Sequence, residues 1–456
     1  MRGAIAIMGV VVLVLGVAEG ESMAADATWN VADFGAVADG ETDNTEAFQR
    51  ALDAAAAAKG GVVIAPTGRY AFDGSLTVPK EVTLRGVYAY APAHAGVRDR
   101  TDEMPVFGTV LMPRADAGTE DGPPFILLNT NAGLHGCCVF YPNQDPAGPV
   151  PKPYPYTVAM RGNNPSIIDC ELLNPYNAID ASRNQRALIR NVHGQPLHIG
   201  VFVDQIYDIG RIENVHWNPW WSMQKELFQW QMENGVGFIF GKTDWHYVLN
   251  TFCFGYNVGY KFIHTEKGAT NGNFLGIGAD DCYTAVVVED SEPYGILITN
   301  GEFVSFHGPD PTMVRVEETH RGVVRFSNCA FWGPCNRNVV ADGKGIVGLS
   351  DCTFVQWGHH REGCRAVEAY GGSILVRGCT FREDRPQIYL GEGVQRAIIT
   401  ENLITGAERI ENESEGVIVI ANNAPTVKPE LKETPPTAEE PAGKRAGRTG
   451  PHYERR

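Results

Sequence analysis

Asp280 and Asp281 stand side by side in Gly278-Ala279-Asp280-Asp281-Cys282, and His307 follows 26 residues after Asp281. Two carboxyls and an imidazole suffice for acid–base cleavage of an acetal. One carboxyl protonates the leaving oxygen, the other activates water or attacks, and the histidine orients or tunes one of them. Turn-forming aspartate is the other use of such residues. A second set lies earlier: Trp217, Trp220, Trp221, Trp230 and Trp245, five of the eight tryptophans, fall between His216 and Asn250. Trp217, Trp220 and Trp221 offer flat apolar faces for sugar rings, with Asp244 and His246 to bond hydroxyls. The same rings could instead plug a loop or an oligomer contact. Arg211, Lys242 and Lys261 are the candidate bases of an eliminating enzyme, which would recruit calcium; hydrolysis requires no cofactor. The adjacent His359 and His360 read as solvated.

These residues need a scaffold, and the chain shows one by repeating itself. An apolar pair, then Asn, Asp or Gly, a small residue, any residue, and Phe or Leu recurs: IIDCEL to Leu172, RFSNCAF to Phe331, GLSDCTF to Phe354, LVRGCTF to Phe381. Weaker copies include LIRNVHG to Gly194 and RIENVHW to Trp217. The last three strong copies end 23 and 27 residues apart. Each unit holds short Val- and Ile-rich runs separated by Gly, Asn and Asp, which are strands with tight turns. Three mini-strands per repeat make one coil of a parallel β-solenoid, in which equivalent residues touch across the strand spacing. The expected fold class is all-β, a right-handed parallel β-helix. Cys138, Cys170, Cys329, Cys352 and Cys379 share one repeat position, which predicts a column of buried thiols, with pairing of neighbours such as Cys329 and Cys352 left open.

One amphipathic helix is expected near the start. Asp43-Asn44-Thr45-Glu46 has the form of a capping box, an alanine-rich stretch runs to Ala58, and Gly60-Gly61 ends it. Residues 1–24 have an export signal's positive start, apolar run and small-residue cleavage site. The expected organisation is therefore 1–24 signal, 25–87 cap and first coils, 88–423 β-helix with a Trp-rich loop at 217–247, and 424–456 a polar disordered tail. Net charge is −16 with basic residues scattered, which argues against nucleic acid.

The run Val31-Ala32-Asp33-Phe34-Gly35-Ala36-Val37-Ala38-Asp39-Gly40, then Thr42-Asp43-Asn44-Thr45, the helix and Gly60-Gly61-Val62-Val63, resembles the N-terminal module of the pectate-lyase-like superfamily. That superfamily includes rhamnogalacturonase- and polygalacturonase-related proteins and phage tailspikes. The resemblance implies a helix capping the first coil of a right-handed β-helix. Asp280-Asp281-Cys282 and His307-Gly308 are similar to the Asp-Asp-Cys and His-Gly motifs of polygalacturonases. The Asn-Thr-Asp and Arg-x-Lys elements of that pattern have no counterpart here. The leading expectation is a secreted or periplasmic glycoside hydrolase acting on a polysaccharide, with no membrane contact after signal cleavage. Asp280, Asp281 and His307 would be catalytic, and Trp217, Trp220, Trp221, Asp244 and His246 would bind substrate. A lyase or uronate epimerase, and a non-catalytic glycan-binding adhesin, stay open, as does a homotrimer.

Overall fold

The computed structural model describes residues 27–426. The signal expected at 1–24 and the polar tail from residue 427 onward lie outside the described residues. The described chain winds into a parallel β-solenoid with three faces. On the first face, fourteen parallel pairings link fifteen successive strands, from Thr28–Asn30 to Val417–Ala421. The second face holds short strands such as Phe252–Phe254, Gly278–Asp280 and Glu302–Phe303. The third holds Val258–Phe262, Thr284–Val288, Thr312–Val316 and their neighbours.

The repeat phrase spans the corner between the first two faces. Its Asn, Asp or Gly is the corner residue, held left-handed: φ is 52° at Asn191, 51° at Asn214, 50° at Asn250, 57° at Asn300 and 51° at Asn328. Asparagine tolerates that conformation, and its amide bonds the rung beneath. Asn214 donates to Asn191 at 2.9 Å, Asn191 to Asp169 at 2.8 Å and Asn328 to Asn300 at 2.8 Å. The phrase's final Phe points inward. Phe303, Phe331, Phe354 and Phe381 stack with centroids 5.4, 5.2 and 5.0 Å apart. Losing one such ring would cost about 3–5 kcal/mol, because its rigid neighbours cannot collapse into the gap.

All ten cysteines are buried free thiols. Cys329, Cys352 and Cys379 lie on successive rungs, since the residues following them pair Ala330↔Thr353↔Thr380. The expected column is corrected at one position. Cys138 pairs with Glu171, which puts Cys137, not Cys138, opposite Cys170. Cys138 points out of the coil.

Helix α1 (Thr45–Ala57) covers the open first coil with Phe48, Ala51, Leu52 and Ala55. Its cap differs from the expected box. Asp43 Oδ1 accepts from the Thr45 N–H at 3.0 Å, while the Asn44 side chain is spent on the Val37 and Thr42 backbone. The 217–247 loop is also corrected: residues 236–240 and 243–249 are solenoid strands, and the true excursion contains a second helix, α2 (Lys225–Asn234). At ten residues it is too short for periodicity to reveal it. The last rung pairing, Ala424–Pro425 with Leu403–Ile404, runs two residues beyond the predicted end at 423. No helix among the described residues is long and apolar enough to cross a membrane.

Candidate functional site

Strand Gly278–Asp280 runs along the second face with Ala279 turned inward and Asp280 outward, one rung from Phe254. Asp281 makes the corner toward the third face with φ 53°. Its carboxylate is mostly buried and contacts His307 Nδ1 through Oδ1. The His307 side chain is 54% exposed and packs against Phe306, ring centroids 4.6 Å apart. A neutral or protonated imidazole held at Nδ1 by a carboxylate has a fixed orientation. Helix α2 walls this corner: Phe228 stacks on Phe254, and Gln229 donates to the Tyr283 hydroxyl at 2.8 Å.

Burial raises the pKa of both carboxyls above the ordinary range. For Asp280 the negative charge of Asp281 adds to burial; for Asp281 the bond and charge of His307 offset part of it. The two environments differ in sign beyond burial, and that is how adjacent acids acquire separate roles.

Beside this corner, the third face carries a charged network. Asp310 accepts from Arg315 at 2.8 Å, Asn336 at 2.7 Å and Arg337 at 3.1 Å, with Arg361 at 3.2 Å. Arg337 also donates to buried Glu368 at 2.5 Å, which accepts from the Tyr370 hydroxyl at 2.9 Å. Burial alone would raise the Asp310 pKa, but the bonds from Asn336 and Arg315 and the charge of Arg337 leave it lowered. Sequence reasoning missed this network. Its signal was register: Arg315, Val340, Glu368 and Tyr389 occupy one outward column of the third face.

A different edge, between the third and first faces, holds an open groove of about 780 Å³ lined by Tyr207, Asp244, Trp245, Asn271, Asn273 and Tyr294 among others. Trp245 is 62% exposed and sits at φ 57°, with its N–H on Asn271 Oδ1 at 2.7 Å. A left-handed bulky residue is rare and marks a position where the surroundings impose strain. Asp244 belongs to this groove and accepts from Lys242 Nζ at 2.8 Å.

Residues 28–100 match the family model for rhamnogalacturonase A/epimerase, pectate-lyase-like proteins. Over 65 residues the chain is 46% identical to alginate lyase 7 and to mannuronan C5-epimerase AlgE3, both of Azotobacter vinelandii. The match covers 13% of this chain and 8% and 4% of those proteins, so it spans less than a tenth of their length. Among solved structures, the catalytic unit of a GH87 α-1,3-glucanase from Streptomyces thermodiastaticus superposes with TM-score 0.54 at 14% identity, covering 88% of this chain and 69% of that one. Gene product 12 of bacteriophage phi29 superposes with TM-score 0.54 at 13% identity, covering 86% and 56%. The family match is thus confined to the N-terminal module, residues 28–100, on a chain whose described residues form a parallel β-helix. At these identities the superpositions establish the fold.

Within this β-helix the expected site residues part company. Asp280, Asp281 and His307 come together. Asp244 lies on the other edge. Trp217 is fully buried, in the inward column that Phe303 and Phe331 continue, and Gly200 makes room for its indole: a Cβ there would lie 2.5 Å from Trp217 Nε1. Trp221 is buried among Val97, Leu173, Leu197 and Leu227. Neither has a face for sugar, which corrects the expectation. Trp220, half-buried, packs on His216 and His193 with centroids at 4.8 and 5.6 Å. His246 is corrected too. It lies inside the coil, where burial, then the charge of Arg211, lowers its pKa to about 3. The aromatics of the groove that meet solvent, Trp245, Tyr207 and Tyr294, could not be told from the buried ones by composition.

Proposed function

We propose that this β-helix hydrolyses a polysaccharide at the corner built by Asp280, Asp281 and His307. The observation that carries the reading is the Asp281–His307 pair beside a second, half-buried carboxyl. His307 favours the ionised form of Asp281, the base; Asp281 in turn favours the protonated form of Asp280, the acid. The names of the matched proteins, a lyase and an epimerase, and of the structural neighbour, a glucanase, support carbohydrate chemistry without choosing among these reactions. Elimination is less well served here. Lys242 is bound to Asp244 and Glu292, at 2.8 and 3.0 Å, and Lys261 to Glu289 at 2.8 Å. Although burial works to lower it, the Lys242 pKa is raised by those carboxylates, so it holds its proton.

The test is product chemistry across a glycan panel. Hydrolysis yields new reducing ends with no unsaturated, ultraviolet-absorbing product, and Asp280→Asn and Asp281→Asn each lower it by at least about a hundredfold. Turnover surviving in the double variant removes the assignment; an unsaturated product removes the reaction class. A second reading, glycan binding without turnover, is favoured by the Trp245 groove and predicts retention on polysaccharide with no product under any condition.

A further inference from the structure

We propose that His94, Cys138 and Glu171 form a zinc-type metal site that fastens the 86–108 segment to the solenoid. One imidazole nitrogen, one thiol sulfur and one carboxylate oxygen lie within 4.8 Å of one another, and all three residues are buried. Two come from adjacent rungs of the second face, where Cys138 pairs with Glu171 outside the coil; the third comes from a segment packed across that face. This is why Cys138 stands apart from the thiol column, which is inward.

The supporting bonds already orient each donor. The His94 N–H donates to Glu171 Oε1 at 2.9 Å, leaving Oε2 facing His94 Nδ1. His94 Nε2 lies 3.2 Å from the Phe107 carbonyl, so Nε2–H donation there presents Nδ1 as the lone-pair nitrogen. A histidine anchored through its far nitrogen to a backbone carbonyl is the usual outer arrangement of a metal ligand. A groove of about 530 Å³ lined by His94, Arg69, Asp102, Glu103 and Phe107 reaches the cluster and supplies an entry path.

Ligand chemistry selects the ion. A thiolate with imidazole and one carboxylate suits zinc, whereas calcium and magnesium take oxygen. Thiolate and carboxylate together neutralise a divalent charge. Binding displaces two protons, one from the thiol and one shared by His94 and Glu171, and leaves a fourth position for water. Without metal, the same atoms form a buried His–Glu pair beside an apolar thiol.

The full chain, stripped with chelator and titrated with Co²⁺, separates these states. The site predicts one cobalt per chain with a thiolate-to-cobalt charge-transfer band, displaced stoichiometrically by Zn²⁺, and a melting temperature that rises with zinc. Cys138→Ser loses the band, while Cys352→Ser keeps it. His94→Gln, which alters only the outer segment, weakens zinc binding by at least about tenfold. No charge-transfer band in the wild type, a band that persists in Cys138→Ser, or unchanged zinc affinity in His94→Gln overturns the proposal.

Discussion

The corner at Asp281 and the groove at Trp245 occupy different edges of one solenoid and are built in opposite ways. At the corner, carboxyls are sunk beside Phe254 and helix α2, their pKa values are displaced, and an exposed imidazole is tied to one of them. At the groove, aromatic rings stand in solvent, and Asn271 and Asn273 supply hydrogen-bonding groups among them. The first arrangement suits bond making, the second suits holding. Residue type does not decide between them. Trp217 and Trp245 are the same residue 28 positions apart, one fully buried and one mostly exposed. The difference is whether the position faces into or out of the coil.

That contrast can be broken most sharply at the corner. Asp281→Asn should lower turnover by about 10²- to 10⁴-fold while leaving retention on polysaccharide intact. Initial rates and affinity electrophoresis on one preparation read both effects. Next in size is the pair of tryptophans: Trp217→Ala should cost about 3–5 kcal/mol in urea unfolding, and Trp245→Ala less than about 0.5. Equal costs would erase the distinction between inward and outward positions.

The inward His246 adds a pH signature. Its folded pKa lies below the unfolded value, so its stabilisation is full above about pH 6.5 and is lost as pH falls toward about 3. Between pH 7 and pH 5 that loss amounts to about 2 kcal/mol. His246→Gln should flatten unfolding stability over that interval if the account holds; an unchanged slope would place the ring in water. The groove gives a smaller effect than the corner: Trp245→Ala should weaken glycan retention by about fivefold, near 1 kcal/mol, with the turnover number unchanged.

The repeat made the coil legible because stacking forces equivalent positions to share one environment. Asn191, Asn214 and Asn328 were recognisable as corners, and Phe331 to Phe381 as core, from the repeat alone. The same logic already contained the answer for Trp217. It closes the RIENVHW copy, the position where other copies end in inward Leu or Phe. Its surroundings in sequence have the composition of a sugar platform, but its register puts it in the core. Both helix α2 and the Asp310–Arg337–Glu368 network lie outside the repeated phrase: the helix is too short for periodicity to show, and the network's partners are separated by tens of residues. The Asp281–His307 contact was suggested by motif order, yet only the turn of the coil brings the two side chains together.

The central claim, chemistry at one edge and holding at the other, is tested most directly by crossing two variants on a single polysaccharide substrate. Asp281→Asn and Trp245→Ala, alone and combined, are compared for reducing ends released and for affinity. Independent losses, turnover from the first and retention from the second, are the predicted result. Full turnover in Asp281→Asn, or loss of both properties from either change alone, would contradict the separation of the two edges.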